Sequence, residues 1–300
     1  MTTGSQTDNI ASKYLGKRTE GSFEYDPSLL VAVPREENRV QYGINSDELP
    51  FIGYDVWHCY EFSSLTEKGL PVTRVLKLKY SCDSPYIVES KSLKLYLNSF
   101  NMTHFGANIE ECLNSCCNLI ETDLSNLLKS QVRAYFLSPS VDSVSIFDNY
   151  ADIISLSDKD VKFENFKETP SLLRIKEGVS ITEYFLKFDS LRSNCRVTHQ
   201  PDFGDVYIYY KSKKIIEYTS LVEYLVSFRS EYHFHEECCE MIFKRLYDLL
   251  DEGDELMVAA LYTRRGGIDI SPVRYTKSFR SEDVDKILDL SKFARCGIKQ

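Results

Sequence analysis

Six residues of this 300-residue chain return in order 128 positions later. Ser92, Leu93, Tyr96, Leu97, Ser99 and Phe100 are matched by Ser220, Leu221, Tyr224, Leu225, Ser227 and Phe228. A histidine follows each run (His104 and His235), then Glu and a Cys-Cys pair, Cys116-Cys117 and Cys238-Cys239. Two unrelated amphipathic helices would share Leu and Tyr, but the added histidine and paired thiols favour internal duplication, so the fold has to be built from two related modules. Ser90 to Phe100, Asn108 to Ser130, Thr219 to Ser230 and His235 to Leu250 carry apolar residues three and four apart, which predicts helices. Tyr54 to Ser64, Val72 to Tyr80, Asp205 to Tyr210 and Glu255 to Tyr262 read as strands. Each half therefore runs strands then helices, an α+β arrangement. The expected organisation is an N-terminal arm (1–28), a first module (29–140), a connecting region rich in Ser, Asp and Lys (141–178) and a second module (179–300).

Composition narrows the function classes. A hydrophobic content of 43% with 27% charged residues is globular, and a formal charge of -9 argues against direct nucleic-acid binding. Met1 to Lys13 is polar, without the apolar stretch of a secretory signal, and no apolar run approaches the roughly 18 residues of a membrane helix, so a cytoplasmic protein without membrane attachment is expected. The nine cysteines are odd in number, contain no CxxC pair and have no histidine at a zinc-finger interval, so neither a disulfide framework nor a metal is expected.

Four segments carry chemistry. In Ser193-Asn194-Cys195-Arg196-Val197-Thr198-His199-Gln200-Pro201-Asp202 a thiol stands seven residues before a carboxylate, a nucleophile and a proton carrier if the side chains meet. A buried core thiol is the plain alternative for Cys195, and His199 is a rival base. In Val88-Glu89-Ser90-Lys91-Ser92-Leu93-Lys94, Ser90 suits a helix N-cap with Lys91 and Lys94 on one face, a phosphate site or simply a capped helix with solvated lysines. Phe234-His235-Glu236-Glu237 offers a carboxylate that can accept two N–H bonds from a guanine-like edge, or acidic residues placed by the helix dipole. Thr263-Arg264-Arg265-Gly266-Gly267 joins guanidinium forks to a backbone that can approach an anion, or forms a hairpin turn with exposed arginines.

Taken in order, these segments resemble the NADPH-dependent 7-cyano-7-deazaguanine reductases of queuosine biosynthesis, in the long two-module form. The Glu89-Ser90-Lys91-Ser92-Leu93-Lys94 motif, the Ser-Asn-Cys loop, Gln200-Pro201-Asp202, Phe234-His235-Glu236 and Arg264-Arg265-Gly266-Gly267 all appear in the family's order, across about Tyr80 to Arg274. The resemblance implies tandem tunnelling-fold (T-fold) modules, antiparallel sheets with helices packed on one face, in a homodimer. It implies reduction of a nitrile to a primary amine with two NADPH, through a covalent thioimide on Cys195, with Asp202 as proton donor. Val88, Glu89, Ser90, His235 and Glu236 would hold the substrate, and Ser90, Lys91, Arg265 and Gly266 the NADPH. His104 is followed by Phe105-Gly106 rather than Glu, so it is not expected to touch substrate. A metal-dependent pterin or purine cyclohydrolase of the same fold, and a non-catalytic purine-binding protein, are the alternative readings.

Overall fold

The computed structural model describes residues 24–296 and Lys299; most of the expected N-terminal arm lies outside the described residues. Eight strands form one sheet: β1 (Ile52–Leu65), β2 (Pro71–Ser81), β3 (Val132–Phe136), β4 (Ala151–Asp152), β5 (Ile175–Asn194), β6 (Pro201–Ile216), β7 (Glu255–Tyr262) and β8 (Ile268–Tyr275). Their order is β3-β2-β1-β8-β7-β6-β5-β4, antiparallel except for the short β4–β5 pair. The halves of the chain meet where β1 pairs with β8, from Ile52 opposite Tyr275 to Cys59 opposite Ile268.

Helices α1 (Glu36–Gln41), α2 (Ser90–Asn98), α3 (Ile109–Leu128), α4 (Tyr218–Val226), α5 (His235–Tyr247) and α6 (Glu282–Leu288) complete the fold. Residues of α2 and α3 bury Leu93, Tyr96, Cys116 and Ile120 with Trp57, Leu76 and Leu78 of the first half-sheet. Those of α4 and α5 bury Leu221, Tyr224, Cys238 and Ile242 with Val206, Ile208 and Val258 of the second. The opposite sheet face is covered by α6 and the segments on either side of it, through Phe279, Val284, Ile287 and Ala294. That cover explains a buried lysine: Lys77 projects from this second face and its ammonium donates to the carbonyls of Asp289 and Lys292, both at 2.8 Å.

The repeated serines have a structural job. Ser92 Oγ donates to the Glu89 carbonyl (2.7 Å) and accepts from Val31 N (3.1 Å); Ser220 Oγ donates to the Glu217 carbonyl (2.8 Å) and accepts from Arg174 N (3.0 Å). Ser99 and Ser227 each donate to the Tyr three residues earlier at 2.6 Å, and accept from Asp26 N and Thr169 N. Each helix is thereby tied to an upstream turn, Pro27–Leu29 or Pro170–Leu172, of identical sequence Pro-Ser-Leu. The duplication thus reaches further upstream than its helices.

Candidate active site at the seam between the half-sheets

A hairpin loop, two helix starts and a turn bring the reactive groups together. In the β5–β6 hairpin Ser193 pairs with Asp202, and Asn194 with Pro201. The loop between them is closed by Cys195 N donating to Gln200 O (2.8 Å) and His199 N donating to Cys195 O (2.9 Å), with His199 at φ +56°. Asn194 is fixed in turn by its amide nitrogen donating to the carbonyls of Arg229 and Glu231, both at 3.1 Å. Arg196, directly after the thiol, bonds Glu237 at 2.9 Å, and Glu237 accepts from Phe234 N at the start of α5. One carboxylate therefore anchors both the thiol loop and the helix that presents His235 and Glu236.

These elements enclose a cavity of about 270 Å³. From the first half come Trp57 on β1, Val88, and Ser90, Lys91 and Lys94 of α2; from the second come Cys195, Asp202, His235, Glu236 and the turn residues Arg265 and Gly266. Arg265-Gly266-Gly267-Ile268 is a two-residue hairpin turn, closed by Arg265 N donating to Ile268 O at 2.9 Å, and both glycines have positive φ (+61° and +81°). Type I′ turns need that conformation at both central positions, so the Gly-Gly pair is a turn requirement as well as an open approach to the cavity.

Asp202 is bridged rather than free. Arg265 Nη1 lies 2.5 Å from Oδ1 and His235 Nε2 lies 3.4 Å from Oδ2. The His235 ring stacks on Tyr262, with centroids 3.8 Å apart and planes at 12°. Among the described residues no hydrogen bond joins Asp202 to Cys195, although both line the same cavity. Four cavity-lining groups hold buried polar atoms without a protein hydrogen-bond partner: Glu236 Oε1, His235 Nδ1, His233 Nδ1 and Trp57 Nε1. Such orphans in a concavity call for a ligand with both donors and acceptors. Burial, with repulsion from Asp55, pushes the Glu236 carboxyl up to about 8. His233 also lines the cavity; burial would lower its imidazolium, but contacts with Glu231 and Glu237 outweigh this and raise it.

One expectation about local structure is corrected. The N-cap of α2 is Glu89, not Ser90: its carboxylate accepts from Lys91 N (3.1 Å) and Ser92 N (2.7 Å). A Glu side chain is long enough to fold back onto the free helix N–H groups, which leaves Ser90 as the first helical residue, facing the cavity. Glu89 does not line that cavity; it serves the helix that does. His199 does not line it either, and its ring packs edge-on against Tyr232 at 4.9 Å. His104 binds the Thr66 carbonyl through Nδ1 (2.9 Å) and is likewise absent from the lining. Trp57 and His233 carry no sequence signal: a lone Trp within a strand and a His directly before the Phe-His-Glu motif have no spacing that marks them.

Two family profiles match the chain. One, described as nitrile reductase, 7-cyano-7-deazaguanine-reductase N-term, covers residues 22–136, and a second, described as QueF-like protein, covers residues 201–281. A relative from Colwellia psychrerythraea, NADPH-dependent 7-cyano-7-deazaguanine reductase, is 40% identical over 270 residues, spanning 87% of this chain and 90% of the relative.

Proposed function

The chain belongs to the NADPH-dependent 7-cyano-7-deazaguanine reductases, and from that premise we propose that it reduces the nitrile of 7-cyano-7-deazaguanine to the primary amine of 7-aminomethyl-7-deazaguanine, consuming two NADPH, in queuosine biosynthesis. The observation that carries the reading is the single cavity in which Cys195, Asp202, His235, Glu236, Ser90, Lys91 and Arg265 converge from both halves. Family membership sets aside the metal-dependent cyclohydrolase and the non-catalytic readings.

In this assignment Cys195 Sγ attacks the nitrile carbon. A C–S bond forms, one carbon–nitrogen π bond breaks, and the thiol proton ends on nitrogen, giving a thioimide. Asp202, held between Arg265 and His235, carries that proton and the later ones. The covalent bond fixes the carbon for the first hydride, which gives a thiohemiaminal; its C–S bond then breaks, Cys195 leaves as the thiolate, and the imine that remains takes the second hydride in the same cavity. The Glu236 carboxyl and His235 meet the polar edge of the deazaguanine, supported by their unpartnered atoms; Val88 adds an apolar wall beside Trp57. Glu89 takes part by capping α2 and so placing Ser90 and Lys91.

The residues fit NADPH. Ser90 and Lys91 at the α2 N-terminus, with Arg265 and the open Gly266 backbone, bring positive charge and free approach to one rim of the cavity in an otherwise acidic protein. NADPH supplies the hydrides; the protein orients it and handles protons.

The protein is further read as two modules and as a homodimer. The sheet is open at both ends, and its β3 and β5 edges expose Tyr135, Val179 and Ile181, surfaces suited to strand pairing with a second copy. Nine free cysteines suit a reducing, cytoplasmic compartment. Light scattering tests the dimer. The central test is intact-mass spectrometry of the protein mixed with 7-cyano-7-deazaguanine, without NADPH. One substrate mass should be added, and Cys195→Ala should abolish it; an adduct that persists in the variant overturns the role of Cys195. Nitrile-driven NADPH oxidation tests the overall reaction.

A further inference from the structure

Beneath the N-terminus of α5, at the seam between the two half-cores, lies a cluster of buried charge that no motif announced. Arg35 bonds Asp55 and approaches Glu240 at 3.4 Å; Arg39 makes two bonds of 2.8 Å to Glu240; Arg274 lies 2.8 Å from Asp55 and 2.9 Å from Glu240. All five side chains are at most 4% exposed. Arg35 and Arg39 come from the segment around α1, Asp55 from β1, Glu240 from α5 and Arg274 from β8. Three guanidinium groups thus face two carboxylates, leaving one positive charge without a partner inside the cluster.

Burying such a charge is costly, and ion clusters of this kind are often less stabilising than apolar packing of the same volume. The uncompensated charge has a destination. Glu236 stands four residues before Glu240 on α5, one turn away along the same helix face. The groups acting on it come from several elements: Asp55 on β1 repels its charge, Arg35 ahead of α1 and Arg274 on β8 attract it, and the Tyr80 phenol on β2 lies within its field. If Glu236 ionises, three cations face three carboxylates. If it keeps its proton, the cluster remains one charge in excess. In the ligand-free protein burial and Asp55 hold the proton on; a ligand that donates N–H groups to the carboxylate tips the balance the other way.

We propose that Arg35 and Arg274 are positioning residues for Glu236: they hold in place the positive charge against which its carboxyl ionises as a guanine-like N–H edge binds, and Asp55 sets how much of that charge is available. The inference rests on Glu236 holding the base, as proposed above. Its consequence is that binding expels a proton, so affinity at neutral pH depends on residues that never touch the ligand.

The test is calorimetric titration with 7-cyano-7-deazaguanine in the Cys195→Ala background, which keeps binding non-covalent, across about pH 5.5 to 9.5. Affinity of the parent should rise by about tenfold per pH unit and then level off. Arg35→Gln should move that break upward by about one pH unit or more, and Asp55→Asn should move it downward by a similar amount. Arg35→Lys, which keeps the charge, should leave the break close to its parental position. Circular dichroism reports folding; if Arg35→Gln does not fold, Asp55→Asn and Arg35→Lys still decide. A break that stays put in Asp55→Asn, or shifts the same way in the Arg35 and Asp55 variants, overturns the proposal. Absence of binding by the parent at every pH instead overturns the assignment of the substrate.

Discussion

Arg265 Nη1 and Asp202 Oδ1 are 2.5 Å apart, so the proton carrier and one of the residues assigned to NADPH form a single ion pair at the cavity rim. Asp202→Asn preserves the shape of the side chain and removes its ability to give or take a proton. We expect kcat for nitrile-driven NADPH oxidation to fall by roughly 10²- to 10⁴-fold. Arg265→Met should raise KM for NADPH by about tenfold or more, with a smaller loss in kcat. Wild-type turnover in Asp202→Asn would remove that residue from the chemistry.

Glu236 also predicts how stability depends on pH. Its folded-state carboxyl is pushed up to about 8 from an ordinary value near 4.5, with burial as the main cause. Between those values the folded chain holds a proton that the unfolded chain has released, so its contribution is present below the unfolded value and is lost as pH rises through the folded one. Glu236→Gln keeps the neutral shape at every pH. The variant should match wild type at about pH 5 and exceed it by on the order of 2–4 kcal/mol at about pH 9, measured by urea unfolding of the ligand-free protein. An equal response to pH in both proteins would contradict this.

The seam has a steric weak point at Gly53. Gly53 on β1 pairs with Arg274 on β8, and a Cβ placed there would sit 2.0 Å from the Val273 carbonyl oxygen. Backbone cannot move aside as a flexible side chain can. Gly53→Ala should cost about 1–3 kcal/mol or more in chemical denaturation and reduce amide-exchange protection along β8. Unchanged stability would show that the strands separate there without penalty.

Arg196 ties the thiol loop to α5 through Glu237 at 2.9 Å. Arg196→Met should speed amide exchange in residues 195–200 and lower the rate of thioimide formation by roughly 10- to 100-fold, because small displacements of a reacting group carry large rate penalties. Faster exchange with an unaltered rate would mean that the loop's position does not govern attack.

Much of this was legible in sequence, for physical reasons. Strands such as β1, β2 and β7 and helices α2 to α5 follow from periodicity, and the expected site residues other than Glu89 line one cavity because each lies next to a turn or helix start. β5 was missed: its exposed run Lys176 to Glu183 lacks clear alternation, since an edge strand of a long hairpin has little to bury. β8 escaped because Ile268 to Tyr275 is buried on both faces and contains Pro272, which reads against a central strand. The arginine–carboxylate cluster could not be seen at all. Arg35, Asp55, Glu240 and Arg274 look like ordinary surface charges until four separate elements bring them together.

The β1–β8 seam also dictates a timetable. Ile52 finds its partner in Tyr275, 223 positions further along the chain, so the hydrogen-bonding edge of β1 stays unpaired through most of synthesis. Pairings of such separation form slowly, and an unsatisfied strand edge invites association with other chains. Trp57 lies on that late-closing strand, so the cavity gains one of its walls only in the last stage of folding. A nascent chain therefore carries Cys195 before it carries a finished pocket, and the thiol acquires its selectivity only once the seam has zipped shut.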